Sequence, residues 1–267
     1  MTNRENGYLL DNRQSEAGAR FAAISELFDA TTFRHFDDLG IGPGHQVWEV
    51  GAGGASVPGW LADRVGGGGR VLATDLDITW LSGLSFPSWV EVGRHDVAAD
   101  PAPAELFDIV HARLVLVHVA DRAKALRIMV DALRPGGWLL LEDADPALQA
   151  LLCLEETGPE QVLANRLRRG FRELLAGRGA DLSYGRKLPR LLRESGLADV
   201  EADSYFPITS PACAVLEAAT VRQIRQQLLD HGIATAEEIK RHLASVEGGG
   251  LDLATAPMIS AWGRKPA

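Results

Sequence analysis

The residues of this chain best placed to hold a charged small ligand are a carboxylate, two glycines and, one strand later, a second carboxylate. The segment Glu49-Val50-Gly51-Ala52-Gly53-Gly54-Ala55 follows the β-type run Gln46-Val47-Trp48-Glu49-Val50 and precedes a helical pattern over residues 57–65. Glycines at a strand-to-helix turn let the backbone turn tightly and let a ligand approach the main chain. The helix beyond presents free N–H groups and the positive end of its dipole to an anion. That anion is a pyrophosphate in a dinucleotide enzyme and the methionine carboxylate in a protein that binds S-adenosylmethionine (SAM). The acidic residues separate the two. Asp75 ends the next strand, where a carboxylate accepts both ribose hydroxyls, and it serves either ligand. Glu49 precedes the first glycine by two residues and lies inside the pocket. There it would repel a pyrophosphate by about 1 kcal/mol or more, but it suits the ammonium and sulfonium of SAM. Ser56 also stands where the dinucleotide fingerprint has its third glycine. The charge pattern points to SAM rather than NAD.

Asp96-Val97 follows the third strand, in register to receive an adenine: the carboxylate from the exocyclic amine, the Val97 N–H to a ring nitrogen. The plainer role for Asp96 is a turn carboxylate capping local N–H groups. Candidates for proton transfer at the strand ends are His111, His118, Asp143 and Asp145. His118 follows the fourth strand at the mouth of the expected pocket. His111 lies within that strand, where a structural role competes with work as a base. Asp143 and Asp145 alternate after Leu141, so one of them points towards the site or both cap the next segment.

These residues need a scaffold of alternating strands and helices. Short apolar runs at Gln46-Val47-Trp48-Glu49-Val50, Arg70-Val71-Leu72-Ala73-Thr74, Trp89-Val90-Glu91-Val92, Phe107-Asp108-Ile109-Val110-His111 and Trp138-Leu139-Leu140-Leu141 alternate with helical patterns, as in a parallel sheet covered on both faces. Helices are predicted over 57–65 and 121–133. The second carries the stripe Leu126, Met129, Val130, Leu133 and is stopped by Arg134-Pro135-Gly136-Gly137. Ahead of the sheet, residues 16–39 form an amphipathic helical region with Phe21, Ile24, Leu27, Phe28, Phe33 and Phe36, which packs on its own sheet or on a second subunit. Behind it come helical stretches over 147–177 and 186–195, a strand over 200–205, a helical insertion over 212–246 broken at His231-Gly232, and a closing strand over 257–262. The insertions read as a cap over the carboxyl edge of the sheet, where ligands of open α/β sheets bind. Leu151, Leu152, Leu163, Phe171, Leu216, Ile224 and Leu228 would supply its apolar inner face or simply its core. The organisation is one domain over 1–267: an N-terminal helical region to 44, a binding core over 45–145, and cap insertions over 146–185 and 207–254.

Composition sets the outer bounds. The chain has 267 residues and a formal net charge of −9, which opposes binding to a phosphate backbone. Arg166, Arg168, Arg169 and Arg172 read as a solvated helix face among acidic neighbours. No apolar run approaches the roughly 20 residues needed to cross a bilayer, and residues 1–20 lack the apolar stretch of a secretory signal. Cys153 and Cys213 are far apart with no C-x-x-C pair, which fits a reducing, cytoplasmic setting and neither a disulfide scaffold nor a metal site.

Five ordered segments carry a family resemblance: Val47 to Gly54, Val71-Leu72-Ala73-Thr74-Asp75-Leu76-Asp77, His95-Asp96-Val97, Phe107-Asp108-Ile109-Val110-His111-Ala112-Arg113, and Leu133-Arg134-Pro135-Gly136-Gly137-Trp138. In order and spacing, over about residues 45–145, they resemble the motifs of class I SAM-dependent methyltransferases. The strand over 258–262 resembles the reversed seventh strand of that fold. The flanks, Tyr8-Leu9-Leu10-Asp11-Asn12 among them, resemble actinobacterial small-molecule methyltransferases. Ala55 is a mild departure from the usual residue at its place. The resemblance implies a Rossmann-like α/β fold with a mostly parallel seven-stranded sheet. It also implies that Glu49, Gly51, Ala52 and Gly53 hold the amino-acid part of SAM, Asp75 and Leu76 the ribose side, and Asp96 and Val97 the adenine. Ala112, Arg113 and Leu114 would pass under the sulfonium.

The reading is methyl transfer from SAM to a small-molecule acceptor, leaving S-adenosylhomocysteine, with O-methylation favoured and secondary metabolism as a setting. No Asp-Pro-Pro-Tyr-type tetrapeptide follows the fourth strand, which points away from nucleic acid. His118, His111 and Asp143 are the catalytic candidates, and the protein is expected as a monomer or homodimer. The rivals are a fold relative that binds SAM but catalyses a non-methylating reaction, and a nonenzymatic SAM-binding partner protein. An NAD(P)-dependent oxidoreductase ranks below both, since no Tyr-x-x-x-Lys pair follows the sheet.

Overall fold

A computed structural model describes Leu9, Leu10 and residues 15–267 of the chain; Tyr8, Asp11 and Asn12 of the flanking resemblance, and most of the first twenty residues, lie outside them. The described residues form a seven-stranded sheet: β1 (Gln46–Val50), β2 (Arg70–Asp75), β3 (Val90–Arg94), β4 (Phe107–Arg113), β5 (Leu133–Ala144), β6 (Ala198–Tyr205) and β7 (Met258–Arg264). Its order is β3-β2-β1-β4-β5-β7-β6. The first five strands run parallel, and β7 runs antiparallel between β5 and β6. This is the mostly parallel α/β sheet with a reversed last-in-sequence strand that the sequence predicts. The order turns back on either side of β1 and β4, and it is at such a switch point that open α/β sheets bind ligands.

By internal packing the chain divides into two compact units. One holds the described residues to Leu27 with Pro146–Leu182 and Phe206–Pro257; the other holds Phe28–Asp145, Ser183–Tyr205 and Met258–Ala267. The second unit contains the sheet. Side chains alternate across each strand, so Val47, Val71, Ile109 and Leu140 pack on one face with Phe36, Val57 and Leu61. Trp48, Val50, Val110, Leu139 and Leu141 pack on the other with Leu126, Met129 and Leu192. The first of these faces is covered by α2 (Ser56–Val65) and by the second half of α1 (Glu16–Asp38). Of the two alternatives for the N-terminal helix, packing on its own sheet is seen for its second half, where Phe36 is fully buried.

The other unit is helical. It contains α5 (Pro159–Gly177), α7 (Pro211–Gln223), α8 (Arg225–Asp230) and α9 (Ala236–Glu247) around Leu163, Leu167, Leu175, Ile224, Leu228 and Ile239. A reciprocal cap between Thr235 and Glu238 opens α9, which satisfies two N–H groups that would otherwise have no partner. The expected break at His231-Gly232 is present, with Gly232 at φ +64°.

Three local expectations differ. The helix expected from residue 147 begins at Pro159, because the Asn165 side chain accepts hydrogen bonds from the Leu152 and Cys153 N–H groups at 2.8 Å and so stabilises non-helical backbone there. The helix expected over 121–133 is α4 (Arg122–Asp131), capped by Asp121, and the Pro-Gly-Gly that follows is absorbed into the long strand β5. The arginines of α5 do not share one solvated face: Arg169 is exposed, whereas Arg168 is mostly buried and pairs with buried Glu217 at 3.1 Å, which in turn meets buried His242 at 3.0 Å.

Candidate functional site

The turn after β1 is shaped for close approach by a ligand. Gly51 and Gly53 adopt φ values of +66° and +58°, the left-handed region that residues with a Cβ rarely enter. A Cβ on Gly51 would also lie 2.3 Å from Val115 Cγ2. The loop is tied to the end of β2: the Ala52 N–H donates to the Thr74 carbonyl, and the Gly53 N–H donates to Asp75 Oδ2 at 2.9 Å. Asp75 Oδ1 accepts from the Asp77 N–H at 3.0 Å. Burial pushes the Asp75 carboxyl above its ordinary value, although the backbone N–H groups of Asp77, Gly53 and Leu76 oppose the shift. Beside it Leu76 is 56% exposed, an apolar side chain next to a carboxylate at a strand end. Such a pair suits a sugar next to a flat apolar ring.

Across the site, β4 ends in a strained residue. Leu114 has φ +59°, at a cost of about 1–3 kcal/mol for a side chain of this type. Its N–H donates to the Glu142 carbonyl at 2.7 Å, which holds the strained conformation in place. The strain sets Val115 against Gly51. Asp96 and Val97 lie after β3. Asp96 Oδ1 accepts from the Ala98 N–H at 2.9 Å, so one carboxylate oxygen serves the turn, and Val97 is buried in the core.

Glu49 does not stand alone at this edge. It is 2% exposed, and its Oε2 lies 2.5 Å from Nδ1 of His111, which is fully buried on the neighbouring strand. His111 Nε2 faces Glu142 Oε2 at 3.4 Å. Glu142 accepts from Thr32 Oγ1 at 2.5 Å and Ser260 Oγ at 2.8 Å, and meets His35 Nδ1 at 3.0 Å. His35 Nε2 then reaches Asp203 on β6 at 3.1 Å. Arg113 bonds Thr32 at 3.0 Å and Asp29 at 2.9 Å. Desolvation opposes charge on His111, but the Glu49 charge and the bonds to Glu142 and Glu49 outweigh it and push the imidazole up to about 9. His35 is raised for the same kind of reason. Glu142, despite its burial, is held well below the usual carboxylate range by His111 and His35.

The expected catalytic candidates are placed differently from one another. His111 has both ring nitrogens on carboxylates inside the sheet layer. His118 is half-buried in the turn after β4, where its N–H donates to the Val115 carbonyl. Asp145 is buried and matched by Arg186 through two contacts of 2.6 Å. Asp143 is 2% exposed at the carboxyl end of β5; its Oδ2 accepts from the Val117 N–H at 3.2 Å, and its Oδ1 has no hydrogen-bond partner. Burial pushes this carboxyl up to about 8 against the pull of the Val117 and Leu116 N–H groups. Reading the sequence missed Asp29, Thr32, His35, Glu142, Ser260 and Asp203. The three α1 members recur at a spacing of three, which places polar residues on adjoining rows of an otherwise apolar helix. That spacing was the available signal.

Comparison with known proteins agrees with this geometry. Residues 48–141 match a family model described as "Methyltransferase domain". Methyltransferase str2 of Strobilurus tenacellus is 31% identical over 162 residues, covering 58% of this chain and 54% of that protein. The ubiquinone/menaquinone biosynthesis C-methyltransferase UbiE of an Enterobacter species is 26% identical over 197 residues, covering 67% and 75%. Among solved structures, phosphoethanolamine N-methyltransferase 2 of Haemonchus contortus in complex with S-adenosyl-L-methionine superposes with a TM-score of 0.60 at 14% identity, over 100% of this chain and 62% of that one. The chain thus spans about half the length of the first of these relatives. Sheet order, glycine turn and matched domain together define a SAM-type Rossmann-like protein. Over residues 48–141, about a third of the chain, it matches a methyltransferase domain, and its sheet has the Rossmann-like order of that fold.

Proposed function

We propose that this protein transfers the methyl group of SAM to a small-molecule acceptor, and that the acceptor atom is an oxygen. The observation that carries the reading is the joint between Gly51, Gly53 and Asp75: two positive-φ glycines, one in contact with Val115 and the other donating its N–H to the carboxylate at the end of β2. This donor set fits the ligand. Gly51, Ala52 and Gly53 offer backbone to the amino-acid part, and Glu49 offers its carboxylate to the ammonium. Asp75 and Leu76 serve the ribose side, and Asp96 and Val97 serve the adenine. SAM supplies a methyl carbon activated by a sulfonium leaving group. The chain's own task is then to align the acceptor and exclude water.

Asp143 supports the choice of a hydroxyl. A carboxyl at the carboxyl edge of β5, with one oxygen unpartnered among the described residues and its pKa raised to about 8, is equipped in its ionised form to take a proton from an acceptor hydroxyl as it is methylated. Two of the proteins named above are by name a C-methyltransferase and an N-methyltransferase, so product analysis with methyl-labelled SAM is the test of the acceptor atom. Two further features favour a small acceptor over nucleic acid: the net charge of −9 and the pairing of Arg166 and Arg168 with Glu238 and Glu217.

The cofactor half is tested by calorimetric titration with S-adenosylhomocysteine, with NAD and NADP as controls. Micromolar binding and no nicotinamide response are expected. In Asp75→Ala the affinity should fall by about 1.5–3 kcal/mol, the worth of a hydrogen-bonded charged acceptor. Unchanged affinity would remove Asp75 from the site.

A further inference from the structure

We propose that His111 is a positioning residue for the cofactor, serving as the counter-cation of Glu49 until the ligand's α-ammonium takes that place, so that binding expels one proton from the imidazolium. The proposal rests on the reading above that Glu49 receives the ammonium. Glu49 Oε2 is committed to His111, while its Oε1 carries no hydrogen bond among the described residues. A ligand cation and the histidine therefore address the same carboxylate from two sides.

Charge balance supplies the argument. The groups facing His111 are Glu49 from β1 and Glu142 from β5, with the uncharged Phe36 ring closing the α1 side at 4.9 Å. Around Glu142 stand Thr32 and His35 from α1 and Ser260 from β7. Arg113 on β4 is matched by Asp29, and Asp203 on β6 by Arg34. With both histidines protonated, two imidazoliums balance the two buried carboxylates. The ligand's own carboxylate is met at the glycine turn, so an ammonium added at Glu49 gives one buried carboxylate two cations, and two like charges held against one carboxylate repel each other. His111 is the exchangeable cation in direct contact with Glu49.

The geometry also shows which proton is cheapest to lose. The Nδ1 contact to Glu49 is short, at 2.5 Å, whereas Nε2 lies at the hydrogen-bond limit from Glu142, at 3.4 Å. A neutral imidazole that keeps Nδ1–H still orients Glu49. Glu142, released from His111, retains Thr32, His35 and Ser260. The proton leaves to solvent and no other bond changes. Because His111 is held charged to about 9, ligand affinity rises with pH below that value, by up to tenfold per unit for one proton released.

The experiment is titration calorimetry of the whole protein with S-adenosylhomocysteine at pH 7.5, in buffers of different ionisation enthalpy. 5′-Methylthioadenosine, which lacks the amino-acid part, is the control ligand. About one proton released per adenosylhomocysteine, none per methylthioadenosine, and none per adenosylhomocysteine in His111→Gln is the expected result. Adenosylhomocysteine binding without proton release, or with the same release in His111→Gln, overturns the proposal and leaves the cofactor site standing. Absence of adenosylhomocysteine binding at every pH overturns the cofactor reading itself. Should His111→Gln fail to fold, the histidine ring signals of the labelled wild-type protein decide. A change of the His111 signal from imidazolium to neutral imidazole on ligand addition upholds the proposal, and an unchanged imidazolium defeats it.

Discussion

The two faces of the sheet treat buried charge in opposite ways at the same carboxyl edge. On the α1 face, Glu49 and Glu142 are matched by His111 and His35, and every oxygen of Glu142 is bonded. On the other face, which carries the apolar Leu139 and Leu141, Asp143 has one long bond and one oxygen without a partner among the described residues. Burial acts on both sets. On the first face counter-charges outweigh it and Glu142 stays ionised; on the second they do not, and Asp143 holds its proton to about 8. The lesson is that depth alone does not set protonation in this protein. One face keeps its buried carboxylate ionised, the other keeps a buried carboxyl protonated to about 8.

The sharpest way to break this contrast is Glu142→Gln. It leaves His111 and His35 without their shared anion, and removing one member of a buried charged set costs about 3–5 kcal/mol. Urea unfolding at pH 7 should show a loss of that size; a change under 1 kcal/mol would mean the network is not ionic.

Next comes the pH dependence of Asp143→Asn. A carboxyl whose folded pKa lies above its unfolded value binds more protons in the folded state. Stability is therefore lost as pH rises from about 4 towards 8, by up to about 1.4 kcal/mol per unit. The Asn variant should lose that slope and be the more stable protein at pH 8. His111 acts in the same direction over a different window, its contribution present below 6.5 and lost as pH rises to about 9. Parallel stability curves for wild type and variant between pH 5 and 8 would show that Asp143 is ionised throughout.

The smallest effect is expected from Ser260→Ala. Glu142 keeps Thr32 and both histidines, so the loss is that of one hydrogen bond, about 1 kcal/mol. A loss as large as that of Glu142→Gln would mean the serine, and not the histidines, holds the carboxylate.

Much of this was legible in the chain. The apolar runs locate β1, β2 and β4 to within two residues, because a strand buried on both faces must be apolar along its length, whereas β5 begins five residues before its expected run. The glycine turn and Asp75 were found because only a few residue types tolerate their backbone and charge requirements. Thr32, His35 and Ser260 were not found. Each lies over a hundred residues from Glu142 in the chain, and the spacing of three on α1 marks a polar row without showing that it is buried. Arg168 escaped for the same reason, since its partner Glu217 sits on a different helix.

What the sequence determined by itself is therefore periodic or local: the strand and helix pattern, the positive-φ glycines and the carboxylates two residues before and one strand beyond them. What the tertiary structure alone decided is pairing: that His111 and Glu142 back Glu49, that α1 closes over them, and that Asp143 has no ion pair among the described residues. Backbone propensity and hydrophobic period act between near neighbours in the chain. Charge compensation acts through space, between side chains that only the finished sheet brings within hydrogen-bond reach.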